Sequence, residues 1–163
     1  MAQKRIDAAT LAPVIGTLYP PPYDEPCCAR ERVRLGDTAG LTQFGVNLLT
    51  LPPGTWSSQR HWHTHEDEFV YVLAGEVVLV TDAGEEILRA GDSAGFKAGD
   101  PNGHCLQNRS AAPARVLEVG TRVAESGAFY SDLDMMSPPG RKPALYTHRD
   151  GTPYENVGRR GPG

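Results

Sequence analysis

The sequence has 163 residues, which is enough for one domain with short extensions and too little for two full domains. Its 18 glycines and 14 prolines make up about a fifth of the chain, which disfavours a helical bundle and favours a turn-rich β-protein. With 22% charged residues and a formal net charge of -4, the composition excludes a disordered chain and disfavours binding to a nucleic-acid backbone.

Residues 1–29 form a predicted N-terminal arm, in which Pro20, Pro21 and Pro22 indicate extended backbone. Polar residues and prolines interrupt every apolar run here, so neither a signal peptide nor a membrane span is predicted. The three cysteines suggest no paired disulfide framework, and we therefore expect a cytoplasmic protein.

Residues 30–123 alternate short apolar segments with turn signals every eight to twelve residues, which is typical of a β-sandwich or barrel. The clearest hairpin joins Glu76–Thr81 to Glu85–Leu88 through an Asp-Ala-Gly turn. The other predicted strands are Arg30–Arg34, Thr42–Leu51, Glu68–Leu73, Ala94–Phe96, His104–Asn108 and Ala114–Gly120.

Residues 124–163 form a predicted tail that contains turn residues and scattered aromatics. We expect this tail to pack on the barrel or on a neighbouring subunit. An exposed sheet edge and two flanking extensions favour a homodimer, because pairing with a second copy covers the edge.

A cluster of metal-ligand residue types lies in the segment that begins at His61. Alternate residues of a strand face the same side, so His61 and His63 are predicted to project together, and Glu68 to join them after a short reversal. Downstream, His104 follows a tight turn and offers a fourth donor. Imidazole and carboxylate together favour a divalent transition metal, namely zinc, iron, manganese, nickel or copper. The fifth histidine, His148, is expected at the surface of the tail.

This segment resembles the first motif of the cupin superfamily, in which His-x-His is followed by four residues, Glu, six residues and Gly. The matching residues are His61, His63, Glu68 and Gly75, with Gly54 as the leading glycine. The second motif is matched by Gly95, Pro101, Gly103, His104 and Asn108, although His104 follows Gly103 directly where the pattern usually inserts two residues. Short phrases at 99–104, 108–110, 119–122 and 149–154 are also similar to a subgroup of small bacterial cupins.

The resemblance implies a jelly-roll barrel of two antiparallel sheets, with one divalent metal held by His61, His63, Glu68 and His104. It also implies a small-molecule enzyme of the oxygenase, isomerase or decarboxylase type, because such a metal keeps open coordination positions. The alternatives are a non-catalytic barrel that binds or senses a small molecule, and a metal that only braces the fold.

Residues next to the proposed ligands are expected to be mostly structural. His65, Glu66 and Asp67 are predicted in a solvated loop, although Glu66 or Asp67 could orient an imidazole. Ordinary exposed strand ends are expected at Gln59, Arg60 and Trp62, although a polar group there could bind a substrate carboxylate.

The interior of the barrel is predicted to be mainly apolar. Val70, Val72 and Ala74 share strand parity with Glu68 and are expected to line it, with Tyr71 facing outward. The remaining expectations are that Arg30, Arg32 and Arg34 form a solvated strand face, that Cys105 belongs to the core, and that Asn108 satisfies a backbone group.

Overall fold

The computed structural model describes residues 4–163, so the first three residues of the predicted arm lie outside the described residues. The described chain forms twelve strands, in chain order β1 (Val14–Ile15), β2 (Glu31–Arg34), β3 (Phe44–Leu51), β4 (His61–His63), β5 (Glu68–Ala74), β6 (Glu76–Thr81), β7 (Gly84–Arg89), β8 (Ser93–Phe96), β9 (Cys105–Gln107), β10 (Ala114–Thr121), β11 (Ala128–Tyr130) and β12 (Met136–Ser137).

Helical structure is limited to single turns. The short helix α1 (Leu35–Thr38) follows β2, and 3₁₀ turns occur at Ala8–Thr10, Glu25–Cys27 and Pro139–Arg141. Across residues 4–163, no helix has the length and apolar character needed to cross a membrane.

One face of the fold is a six-stranded antiparallel sheet in the order β1-β2-β3-β10-β5-β8. Its centre is the β3/β10 pair, which runs in register from Leu51 opposite Ala114 to Phe44 opposite Thr121. Directly opposite residues of paired strands share a face, so this register fixes which side chains point inward.

The opposite face consists of two three-stranded sheets, β7-β6-β9 and β12-β11-β4. They are connected by an isolated bridge between His61 and His104, and a second bridge joins Trp56 to Gln107. The two faces together make the all-β jelly-roll predicted from the sequence.

The predicted hairpin is correct, with β6 spanning Glu76–Thr81 and β7 extending one residue beyond the prediction at each end. Elsewhere the predicted ends were less accurate, since β9 is shorter than the predicted His104–Asn108. Strands β1, β11 and β12 were not predicted, because segments of two or three residues carry no readable alternation.

The hydrophobic core lies between the two faces. Val70 and Val72 belong to it as predicted, but Ala74 at the end of β5 is exposed and does not line the interior. The buried cluster comprises Leu49, Leu51, Val70, Val72, Val77, Leu79, Leu88, Leu106, Ala114 and Val116.

A second buried cluster joins the N-terminal segment to the C-terminal segment beside β4. It contains Tyr19, Cys27, Tyr130, Met135 and Tyr146. Strand β11 pairs with β4, strand β1 pairs with β2, and Thr17 bridges Arg160 near the end of the chain. The N-terminal and C-terminal segments therefore both pack beside β4, which carries His61 and His63.

Candidate metal centre

His61 and His104 are brought together by backbone pairing. The two residues form an antiparallel bridge, in which each backbone N–H donates to the carbonyl of the other at 3.1 and 2.9 Å. Opposite residues in such a pair share a face, so both imidazoles point into the barrel, with their ring centroids 4.9 Å apart. His61 is fixed further through Nδ1, which lies 2.9 Å from the carbonyl oxygen of Gln59 and leaves Nε2 facing inward.

Glu68 lies at the start of β5 and faces all three imidazoles. Its Oε2 is 2.9 Å from Nε2 of His104 and 3.7 Å from Nε2 of His61, and its Oε1 is 3.4 Å from Nε2 of His63. The donor atoms of His61, Glu68 and His104 all lie within 4.8 Å of one another. The structure thus brings His61, Glu68 and His104 around one point, with His63 beside the other oxygen of Glu68.

Two of these polar side chains have buried atoms that make no hydrogen bond. Glu68 Oε2 and His104 Nδ1 are both buried without a partner of acceptable geometry, although Oε2 is close to His104 Nε2. Burying such atoms unpaired is costly. Neighbouring ligands of a metal with bonds of about 2.1 Å lie about 3 Å apart, which is close to the shorter of the observed separations. The donor set therefore fits a divalent transition metal.

The protonation states of His61 and Glu68 suit metal binding. Burial lowers the pKa of His61 to about 3, so its ring is neutral and carries a lone pair. Burial disfavours the Glu68 carboxylate, but the close imidazoles of His104 and His63 outweigh this and hold the pKa of Glu68 well below its ordinary value. Burial also opposes the charged form of His63, yet Glu68 and Glu66 together leave its pKa raised.

Glu66 holds the outer side of His63. Its Oε2 is 3.3 Å from Nδ1 of His63, and its Oε1 accepts a hydrogen bond from the backbone N–H of Val123 at 3.0 Å. The prediction of a solvated loop was therefore wrong for Glu66, whereas the suggestion that it could orient an imidazole agrees with this geometry. Asp67 is exposed and instead accepts a hydrogen bond from the backbone of Ala98.

The rings of His104 and Phe96 stack in parallel, with centroids 3.5 Å apart. The shortened spacing after Gly103 does not keep His104 from Glu68. Gly103 itself packs so closely on Ser131 that a Cβ there would overlap the hydroxyl.

The other two histidines remain outside the cluster. His65 is exposed, and His148 pairs with Asp134.

A cavity of about 590 Å³ opens beside the cluster, and its lining is polar. The prediction of a mainly apolar interior is wrong at this end of the barrel. Asn47, Glu118 and Arg32 share the inner face with Glu68, whereas the apolar side chains lie further along the same strands.

The prediction that Arg30, Arg32 and Arg34 form a solvated strand face is also not confirmed as a whole. Arg32 is opposite the fully buried Leu49, and Arg34 is opposite Asn47, so these side chains face inward. Arg30 is buried and donates to the carbonyl oxygens of Gly16 and Ser57. Arg30 and Arg32 are therefore not part of a solvated face, because the register turns Val33 toward the outside, whereas Arg34 is 52% exposed at the open end.

Other predicted neighbours are structural. Arg60 forms ion pairs with Asp82 and Asp132, Gln59 donates to the carbonyl of Tyr23, and Trp62 stacks on Phe129. The polar groups of Arg60 and Gln59 are therefore engaged with other parts of the protein.

Two motif residues shape the backbone around the site. Gly75 has a φ of 74°, and a Cβ there would lie 2.8 Å from the carbonyl oxygen of Pro113. Asn108 is fully buried and donates to the carbonyls of Leu51 and Ala112, as expected. Cys105 is buried in the interior, which also agrees with the prediction.

Sequence reasoning missed several residues that line the cavities, namely Asn47, Glu118, Tyr130, Arg141 and Arg159. The alternation of arginines at 30, 32 and 34 was a readable signal, but only the strand pairing shows which face it occupies.

The fold and the histidine–glutamate cluster define a cupin. The cupin domain family matches residues 47–120. A solved structure from Silicibacter pomeroyi, described as a sugar phosphate isomerase from a cupin superfamily, is 46% identical and has a TM-score of 0.88. The similarity covers 94% of this chain and 99% of that chain. This protein belongs to the cupin superfamily.

More distant structures share the fold alone. A protein from Acidithiobacillus ferrooxidans, provisionally named a sugar phosphate isomerase, is 24% identical over 78% of this chain and 81% of that chain, with a TM-score of 0.70. A polyketide cyclase from Streptomyces resistomycificus is 20% identical over 73% and 79% of the two chains, with a TM-score of 0.59. No curated protein matches the sequence significantly.

Proposed function

We propose that the protein is a metal-dependent isomerase that interconverts the aldose and ketose forms of a small sugar phosphate. The observation that carries this proposal is the convergence of donor atoms from His61, Glu68 and His104 at the edge of a polar cavity. Among the three cupin reaction types, isomerisation is favoured because the relative with 46% identity is described as a sugar phosphate isomerase.

We assign one divalent transition metal to His61, His63, Glu68 and His104. Bound there, the metal would act as a Lewis acid toward the carbonyl and hydroxyl oxygens of the sugar. Elemental analysis of the purified protein will show whether the metal is zinc, iron, manganese, nickel or copper.

The protein's own residues bind and orient the sugar. Glu118 accepts two hydrogen bonds from Arg32, at 2.7 and 2.9 Å, and this pair lines the cavity together with Asn47. A carboxylate fixed in this way keeps lone pairs for sugar hydroxyls, and Asn47 offers both a donor and an acceptor. Tyr130 lines the neighbouring cavity and lies beside His61, with ring centroids 5.7 Å apart, so it helps to exclude water from the cluster.

The test is a direct assay on metal-analysed protein. Purified wild type is incubated with a panel of aldose phosphates and ketose phosphates, and interconversion is followed by proton NMR with and without a chelator. We expect turnover that depends on the metal, is lost in Glu68→Gln and is kept in His148→Ala, whose histidine lies outside the cluster. Ligand binding without turnover on any member of the panel would overturn the isomerase and favour a sensing barrel.

We also propose that the protein is a cytoplasmic homodimer. Three apolar residues of β5, Phe69, Tyr71 and Leu73, face away from the core and are 39 to 45% exposed. Leu117 is opposite Tyr71 on the neighbouring strand, which extends this apolar face. Sedimentation velocity should show a dimer for wild type and a monomer for Tyr71→Lys, and a monomeric wild type would contradict the proposal.

The cytoplasmic location is supported by the cysteines. Buried free thiols at Cys27 and Cys105 are consistent with a reducing compartment.

We further propose that residues 30–123 are the barrel unit, with residues 1–29 and 124–163 as extensions that complete its open end. The pairing of β11 with β4 and of β1 with β2 supports this division.

A further inference from the structure

A second cavity of about 230 Å³ lies beside the histidines and is lined by five arginines. It extends from His61 and His63 to side chains of the C-terminal segment. Among the described residues that line it, none is a carboxylate. This concentration of positive charge contrasts with a whole chain whose formal net charge is -4.

Two of the five arginines, Arg30 and Arg32, already form hydrogen bonds within the protein. Arg30 donates to Gly16, Ser57 and Thr17, and its guanidinium lies over the ring of Tyr19 at 5.7 Å. Arg32 is paired with Glu118 through two hydrogen bonds. Their charges still contribute to the field in the cavity, but their donors are largely in use.

The other three, Arg34, Arg141 and Arg159, have donors to spare. The side chain of Arg34 is 52% exposed and only approaches Asp37, at 3.8 Å. Asp37 is itself bound by Arg122. Arg159 reaches one backbone carbonyl, that of Ile15, at 3.4 Å. Within residues 4–163, neither Arg141 nor Arg159 forms an ion pair with a carboxylate.

These guanidinium groups repel one another. The pKa of Arg159 is lowered, first by partial burial and then by the charges of Arg34, Arg30 and Arg32. Like charges held close together are unfavourable, and a bound anion would relieve the repulsion.

We propose that Arg34, Arg141 and Arg159 form a site for the phosphoryl group of the substrate, with the sugar chain directed toward His61 and His63. A guanidinium presents a planar fork of donors that matches the oxygens of a phosphate monoester. The location of the subsite rests on the cavity alone, whereas the orientation of the sugar rests on the proposed isomerase function. Arg34 ends β2, Arg141 lies in a short turn of the tail, and Arg159 is close to the end of the chain, so the extensions supply the recognition of the anion.

The site is tested by isothermal titration calorimetry of the full-length protein with inorganic phosphate. We expect wild type to bind phosphate with and without metal, and Arg141→Gln combined with Arg159→Gln to weaken binding by about tenfold or more. The matched control is Arg115→Gln. Arg115 is exposed near the start of β10 and does not line the cavity, so this variant should bind phosphate like wild type. Unchanged phosphate affinity in the double variant would overturn the site.

Two further measurements complete the test. One shows whether phosphate or carboxylate is the preferred anion, and the other distinguishes this site from the proposed reaction. Titration with acetate should give weaker binding than phosphate, and tighter binding of acetate would contradict the assignment. In the isomerase assay, Arg141→Gln should raise KM for a sugar phosphate without a matching loss of kcat. Arginine-dependent phosphate binding in a protein without isomerase activity would support the site and refute only the proposed function.

Discussion

The two ends of the barrel are built from the same strands and have opposite chemistry. Along β3 the inward positions pass from Leu51 and Leu49 to Asn47, and along β10 they pass from Val116 to Glu118. The change takes two residues on each strand, which is about 7 Å. The closed end is a packed apolar core and the open end is a polar cavity.

The difference teaches how the site is supported. The core cluster consists of apolar side chains, so close packing fixes the positions of its strands. The open end carries Glu68 and His104, whose unpaired buried atoms are unfavourable unless something binds them. Stability should therefore depend mainly on one end and chemistry on the other, and substitutions at each end test this separation.

The largest expected effect is on activity at the open end. Replacing a metal ligand in His61→Ala should abolish stoichiometric metal and lower turnover by about a thousandfold or more, since Lewis acidity supplies several kcal/mol. Elemental analysis and the isomerase assay measure both. His65→Ala changes an exposed histidine of the same segment and should keep metal and activity. Full metal occupancy in His61→Ala would show that the cluster is not the site.

The next effect is on stability at the closed end. Leu49 is fully buried, and Leu49→Ala should lower the free energy of unfolding by about 3 kcal/mol through lost burial and a residual cavity. Urea denaturation measures this loss, and metal content should be unchanged. Leu48→Ala, on the outer face of the same strand, should cost clearly less. An equal cost for both variants would mean that the closed end is not the main source of stability.

A smaller effect is expected where Glu66 supports His63. Glu66→Gln keeps the shape of the side chain but removes the charge beside Nδ1, and metal affinity should fall by about 10- to 100-fold. Competition with a chromophoric chelator gives the affinity. Asp67→Asn removes the neighbouring charge, which does not contact an imidazole, and should leave affinity unchanged. If both variants bind metal equally, Glu66 has no positioning role.

The smallest effect concerns the ion pair that holds the tail against the open end. Hydrogen bonds from Arg60 lower the pKa of Asp132 below its ordinary value of 3.8. Because the folded-state pKa is depressed, the stabilisation is present above pH 3.8 and is lost as the pH falls through the lowered value. Asp132→Asn should therefore cost less than about 1 kcal/mol at pH 7, since the carboxylate is largely exposed.

Urea denaturation of wild type and Asp132→Asn at pH 7 and below pH 3 measures this difference. The gap between them should shrink at the lower pH. Glu125→Gln, an exposed carboxylate nearby in the chain, should show no such gap at either pH. A gap that grows on acidification would contradict the linkage.

The sequence allowed correct prediction of the central strands, and three of the side chains predicted as ligands, His61, Glu68 and His104, lie together in the structure. The β6/β7 hairpin could be read because alternation and an Asp-Ala-Gly turn are local signals. The meeting of His61 with His104 was implied by the resemblance to the cupin motifs, and backbone pairing accounts for it in the structure.

The errors about the arginines and about the polar end of the barrel have one physical origin. Alternation shows that Arg30, Arg32 and Arg34 share a face with one another, but both faces of a strand have the same period. Pairing with Leu49 and Asn47 makes that face the inner one. The same uncertainty led to an apolar interior being predicted where Glu118 and Asn47 lie.

By itself, the sequence determined the all-β class, the positions of the turns and the residue types able to hold a metal, because these depend on local conformation and donor chemistry. Only the tertiary structure decided which strand faces line the cavity. It alone also brings Arg141 and Arg159 from the tail beside Arg34. Contacts between segments more than 100 residues apart arise from strand register and chain packing, which no local pattern records.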